Sequence, residues 1–232
     1  MRIAVLEDDL AHQFFIYQTL RDGGHECHTY STGSEFQREL KKQTFDLLVL
    51  DWNVPDLSGE DVLRWARETL SGRIPILFVT SRASDSDVSF ILGMGADDYV
   101  TKPVGASVLL ARVDSLLRRA YRLDRSDSRE TYGAYEFDVS SMQVFVNGPA
   151  VVLTQKEFEL ALLLFRNMGR PLSRAYILGR VWKHVTDVSS RTMDTHVSML
   201  RLKLNLRPEW GYRLAPVYGY GYRLDSVRGE CV

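Results

Sequence analysis

The 232-residue sequence predicts an α/β domain built on a five-stranded, parallel, doubly wound sheet, followed by a smaller α+β domain. Three observations carry this. Residues 1–120 alternate short apolar runs with amphipathic stretches, whereas residues 121–131, YRLDRSDSRET, are polar, mixed in charge and nearly free of large aliphatics. Beyond that linker the pattern changes to short strands, three helices and a closing hairpin. The charge changes at the same place: residues 1–120 hold 13 Lys+Arg against 18 Asp+Glu, a balance of −5, and residues 121–232 hold 16 against 12, a balance of +4. A basic second half points to nucleic acid, because phosphate neutralisation by Lys and Arg dominates DNA affinity.

In the first domain the apolar runs are IAVL (3–6), ECHTY (26–30), FDLLVLD (45–51), IPILFVT (74–80) and DYVTK (98–102), each followed by a helical pattern: 10–22, from Ser34, from Ser58, 84–94 and 106–119. Near-continuous apolar strands alternating with helices require a sheet covered on both faces. The second domain, 132–232, shows strands at 135–137, 144–146 and 150–153, with a turn at Asn147-Gly148. Thr154 with Glu157 forms a capping box opening a helix to about Asn167. Ser173 caps a second helix through Trp182, and a third spans about 191–204.

Composition narrows the class. With 45% hydrophobic and 25% charged residues the chain is an ordinary globular protein rather than a disordered one. No run approaches the roughly 20 apolar residues of a membrane span, and the start MRIAVLEDD has a short apolar run that meets acids at once, with no cleavage site, so no membrane association and a cytoplasmic location are expected. Two cysteines, Cys27 and Cys231, are too few for a disulfide framework.

The chemistry is placed where polar residues interrupt the strands. Glu7 and Asp8 follow the first, Asp51 ends the third, Thr80 the fourth and Lys102 the fifth, so all fall on one edge of the sheet, where ligands of such folds bind. Three adjacent carboxylates repel unless they share a cation, and all-oxygen ligation suits Mg2+. A metal beside one reactive carboxylate is a phosphoryl-transfer site.

Strand-EDD, DWNVPDLSG, VTS and DDYVTKP together resemble the flavodoxin-like receiver domain of two-component response regulators over essentially all of residues 1–120. The resemblance implies that Asp51 takes a phosphoryl group from a sensor histidine kinase. Glu7, Asp8, Asp51 and the Asn53 carbonyl would hold Mg2+, and Thr80 and Lys102 would bind the phosphoryl oxygens. Lys102-Pro103 resembles the family's cis peptide, and Tyr99 the aromatic that turns inward when Thr80 moves. Asn53 and Arg82 lie two residues beyond Asp51 and Thr80, where the family tunes water access; a polar Asn53 implies a short-lived phosphoryl state. Trp52, beside Asp51, should report the new charge by fluorescence.

The resemblance also implies homodimerisation on phosphorylation through the fourth helix, fifth strand and fifth helix. Asp97, Asp98 and Arg112 keep the family's charges there, but Val88 and Val108 stand where a basic and an acidic residue are usual. An apolar contact in place of that ion pair is expected.

In the third helix of the second domain, Met193, Val197, Leu200 and Leu204 recur at helical spacing as an inward stripe, leaving Arg191, Thr195, Ser198, Met199 and Leu202 outward. LTQKEFELALLLFRNMGRPLSRAYILGRVW, SSRTMDTHVSMLRLKL and VYGYGYRL resemble the winged helix-turn-helix output domain of the OmpR/PhoB class, over about 132–226. That implies double-stranded DNA as partner. Arg191 and Arg201 would meet phosphates, Thr195, His196, Ser198 and Met199 the major groove, and Tyr218 and Tyr222 the wing's DNA backbone. KHVTDVSS (183–190) matches the loop that meets RNA polymerase in such proteins. The outward helix face is poor in cations for the class, which implies a shallow salt dependence. Two other readings remain open: a regulator of this fold acting without phosphorylation, and a Mg2+-dependent phosphohydrolase, although the latter needs a second acid where Asn53 stands.

Overall fold

The computed structural model describes residues 1–70, 74–121, 128–182 and 190–227. The chain divides into two compact units, Met1–Asp124 and Arg125–Val232. Among the described residues no helix is long and apolar enough to cross a membrane.

In the first unit, strands β1 (Arg2–Leu6), β2 (Glu26–Tyr30), β3 (Leu47–Leu50), β4 (Ile76–Thr80) and β5 (Asp98–Thr101) alternate with helices α1 (Leu10–Asp22), α2 (Gly33–Leu40), α3 (Gly59–Thr69), α4 (Asp85–Gly93) and α5 (Ala106–Tyr121). All four strand pairings are parallel, in the order β2-β1-β3-β4-β5. Strand side chains alternate between faces. Ile3, Val5, Leu47, Val49, Leu77 and Val79 therefore pack with Ile16, Leu20, Leu109 and Val113 of α1 and α5. Ala4, Leu6, Leu48, Leu50, Ile76 and Phe78 pack with Phe36, Val62, Leu63 and Ile91 of α2, α3 and α4. Covering both faces is what makes these strands read as unbroken apolar runs. Asp9, Thr32, Ser58 and Ser84 cap α1 to α4, each side chain accepting from the backbone N–H three residues on.

The second unit begins with an antiparallel sheet of β6 (Arg129–Tyr132), β7 (Tyr135–Asp138), β8 (Gln143–Val146) and β9 (Ala150–Val151). Asn147 (φ 52°) and Gly148 (φ 104°) turn β8 into β9, both positive as a tight hairpin demands. Helices α6 (Gln155–Arg166), α7 (Arg174–Val181) and α8 (Ser190–Lys203) follow, then β11 (Tyr212–Val217) and β12 (Gly221–Ser226), with the short β10 (Leu172–Ser173) paired to β12. The inward stripe of α8, Met193, Val197, Leu200 and Leu204, is fully buried.

Two elements depart from expectation at residues 121–131. Helix α5 continues through Tyr121, and β6 occupies the end of the segment read as linker. The inward residue of β6 is a glutamate: Glu130 is 6% exposed and accepts three hydrogen bonds from Arg166 at 2.5–3.2 Å. A strand whose buried position is acidic, with its counter-charge 36 residues away, carries no apolar alternation to read.

Candidate phosphoryl pocket and DNA-facing helix

The parallel sheet delivers its polar strand ends to one edge. One carboxylate oxygen each of Glu7, Asp8 and Asp51 lies within 4.8 Å of the others. Lys102 enters from the end of β5, its Nζ donating to Glu7 Oε2 at 2.6 Å and to Asp51 Oδ2 at 2.6 Å. Burial pushes the Glu7 carboxyl above its ordinary value, against the opposing pull of the Lys102 ammonium. Burial also lowers the pKa of Lys102, but its hydrogen bonds to Asp51 and Glu7 outweigh that and leave it raised. The pocket is therefore short of positive charge: one ammonium contacts two of three clustered acids. That donor set fits a hard, oxygen-preferring divalent cation, with Glu7, Asp8 and Asp51 as the groups to hold it.

The remaining pocket residues are linked through Arg82. Its guanidinium lies 4.5 Å from the Trp52 ring centroid and donates to Asn53 Oδ1 at 3.2 Å. Its backbone N–H donates to Thr80 Oγ1 at 3.5 Å, and its carbonyl accepts from the Tyr99 hydroxyl. Thr80 is fully buried and Tyr99 half-buried. Trp52 is itself held by Phe78 and Phe90, at ring separations of 6.0 and 6.2 Å. The structure thus ties Asn53, Thr80 and Tyr99 to one residue, a connection with no signal in the sequence beyond the position of Arg82. The Lys102-Pro103 peptide is cis.

Sequence reading missed Gly59. A Cβ there would stand 2.0 Å from the Asp51 carbonyl oxygen, and the Gly59 N–H donates to Trp52 O at 3.0 Å. The start of α3 thereby pins the loop that carries Asp51 and Asn53. The glycine in DWNVPDLSG was the available signal.

The residues expected at a dimer face are placed differently from one another. Val108 is 49% exposed and Val88 half-buried, so both reach solvent. Arg112 pairs with Asp98 of the same protomer at 3.2 Å, an exposed ion pair. Asp97 turns inward instead, accepting from Arg67 at 2.6 Å and from the Ile76 N–H at 2.9 Å. It is a structural clamp between β4, α3 and the start of β5, not an outward charge.

In the second unit, Arg191, Thr195, Ser198, Met199 and Leu202 are exposed on one side of α8. The hydroxyls of Thr195 and Ser198 donate back to the carbonyls of Arg191 and Asp194 at 3.0 and 2.9 Å. His196 Nδ1 meets Thr192 O at 2.8 Å, and its ring stands edge-on to Trp182. Two residues expected against DNA are committed inside the domain. Arg201 Nε donates to Leu214 O at 2.8 Å. Tyr222 is 6% exposed, and its hydroxyl donates to Asp194 Oδ1 at 2.6 Å beside Arg174. Pairing of β12 with β10 and β11 turns that tyrosine inward, whereas Tyr218 at the hairpin tip is fully exposed. The RNA polymerase loop assigned to 183–190 lies, but for Ser190 at the start of α8, outside the described residues.

A parallel α/β domain with an acidic strand edge, joined to a domain with an outward-facing helix and a two-stranded wing, defines a regulator in which one half senses and the other binds DNA. Each half matches a family model: residues 3–114 match the response regulator receiver domain, and residues 148–224 the transcriptional regulatory protein C-terminal domain. Whole-length similarity agrees. The chain is 38% identical to the transcriptional regulatory protein AfsQ1 of Streptomyces coelicolor, covering 96% of this chain and 97% of that one. It is 36% identical to the sensory transduction protein RegX3 of Mycobacterium tuberculosis and to the phosphate regulon regulatory protein PhoB of Rhizobium meliloti, covering 97% of this chain and 99% of theirs in each case. The chain belongs to the two-component response regulators of the OmpR/PhoB class, transcriptional regulators rather than catalytic enzymes.

Proposed function

We propose that Asp51 is the phosphoacceptor and that its phosphorylation by a sensor histidine kinase governs DNA binding by α8 and the wing. The observation that carries this is the pair of 2.6 Å contacts from Lys102 to Asp51 and Glu7, beside Asp8. An Asp51 oxygen attacks phosphorus; the P–O bond forms as the P–N bond of the phosphohistidine breaks, and the imidazole keeps the electron pair and takes up a proton. Bound Mg2+ supplies the positive charge that stabilises the transferring phosphoryl oxygens. Glu7, Asp8, Asp51 and the Asn53 carbonyl are the groups to hold it; the Asn53 side chain is already engaged by Arg82.

Once Asp51 carries phosphate, Lys102 Nζ moves from its carboxylate oxygen to a phosphoryl oxygen, and the Thr80 hydroxyl donates to another. Movement of Thr80 pulls on the Arg82 backbone, and so on the bond that holds Tyr99. That rearrangement favours a homodimer through Val88, Val108 and the Asp98–Arg112 pair, working in the cytoplasm with the segment between α5 and β6 as the inter-domain linker. A contact of 183–190 with RNA polymerase completes the reading.

Acetyl phosphate with Mg2+ tests it. Stoichiometric acid-labile labelling of wild type that disappears in Asp51→Asn supports the reading. Multiple turnover of the donor would identify a phosphohydrolase, and absence of labelling a regulator working without phosphate.

A further inference from the structure

The outer face of α8 is short of the groups that read guanine. Bidentate recognition of guanine O6 and N7 needs Arg or Lys. Lys203, in the last turn, donates to Glu157 Oε2 at 2.8 Å, and Arg201 gives its Nε to the Leu214 carbonyl. Among the described residues of α8 only Arg191, at the N-terminal end, presents a cation on the outer face. The two hydroxyls there are occupied as donors within the helix. Beside those hydroxyls, the large side chains that project from the C-terminal half of the face are apolar: Met199 is 40% exposed and Leu202 59% exposed. They lie three residues apart, between Ser198 and the end of the helix, on the side opposite the buried Met193, Val197 and Leu200.

We infer that this regulator selects its sites through the C5-methyl groups of thymine, with Met199 and Leu202 packing on methyls of adjacent steps and Arg191 supplying one polar contact. Thymine is the one base whose major-groove edge carries an apolar group, so an apolar helix face on this family's DNA-binding domain has one complementary surface in the groove. The inference rests on the reading that α8 enters the major groove.

The experiment uses the full chain, treated with acetyl phosphate and Mg2+, to select from a random-sequence duplex library. The best selected duplex is then remade with uracil in place of thymine, which removes only the methyls. Thymines at two or more adjacent positions in the protected half-site are expected, with affinity falling about fourfold for each methyl lost from contact. Met199→Ala, an exposed substitution, should erase about half of the free-energy difference between the thymine and uracil duplexes, and Met199→Ala with Leu202→Ala most of it. Enriched sites that bind equally with uracil would overturn the inference while leaving DNA binding by α8 intact. Enrichment of no sequence at all would overturn the DNA-binding reading on which it rests. A Met199→Ala protein that keeps the full thymine preference but self-associates less would assign this face to a protein contact and overturn the inference as well.

Discussion

Lys102 Nζ stands 2.6 Å from Oδ2 of Asp51 and 2.6 Å from Oε2 of Glu7, bridging side chains that are 9% and 1% exposed. Among the described residues Lys102 is the one cation hydrogen-bonded to those acids, helped by the backbone N–H groups of Asp9, which donates to Glu7, and Trp52, which donates to Asp51. Removing one member of a buried charge network costs more than the network contributes, because the survivors stay desolvated. Lys102→Ala is expected to destabilise the receiver domain by about 2–4 kcal/mol in chelator, with millimolar Mg2+ restoring part of the loss as a replacement cation. Urea denaturation with and without Mg2+ checks this; a variant as stable as wild type in chelator contradicts it.

Arg82 holds Asn53 and covers Trp52 at once. Arg82→Ala should free the Asn53 amide to orient water near the phosphoryl group and shorten the phosphoryl lifetime by about two- to tenfold. It should also alter Trp52 emission in the unphosphorylated protein. Decay of labelled phosphoprotein and steady-state fluorescence measure the two effects separately. A lifetime unchanged or lengthened by the substitution counts against this role.

Gly59 is required by space, not by backbone angle, since the Asp51 carbonyl lies 2.0 Å from where a Cβ would sit. Gly59→Ala must push α3 away or displace the loop of Asp51. The expected cost is about 1–3 kcal/mol, together with slower phosphorylation by acetyl phosphate in protein that remains folded by circular dichroism. Wild-type labelling kinetics in Gly59→Ala would show that the loop adapts freely.

Tyr222 serves the second domain from within, through its 2.6 Å bond to Asp194. Tyr222→Phe keeps the ring's packing and the Arg174–Asp194 pair, so a stability loss of about 1 kcal/mol is expected with little change in DNA affinity of the folded protein. A large affinity loss at unchanged stability would return Tyr222 to the DNA interface.

Burial pushes the Cys27 thiol up to about 12 from 9.0. Because the folded state holds this proton more tightly than the unfolded chain, its contribution to stability is complete below pH 9 and is lost as pH rises toward 12. Only thiolate alkylates, so at pH 8 the folded protein exposes about a thousandth of the Cys27 thiolate of an unperturbed thiol. Iodoacetamide mapping should find Cys27 unmodified in native protein and fully modified in urea. Rapid native alkylation would refute the burial argument.

The sequence by itself determined the two-domain order, the parallel sheet and the acidic pocket. Each rests on local regularities: apolar runs of strand length, caps at helix starts, and polar residues at strand ends that topology must bring to one edge. It also determined the buried and outward faces of α8, through spacing alone. Tertiary structure decided what spacing cannot encode, namely which partner each polar side chain finds. Asp97 faces Arg67, Glu130 faces Arg166, and Tyr222 faces Asp194, over separations of 30, 36 and 28 residues. A charge reads the same in sequence whether it meets solvent, DNA or a distant side chain. Only the folded chain, by the cost of leaving a buried polar group unpaired, selects among them.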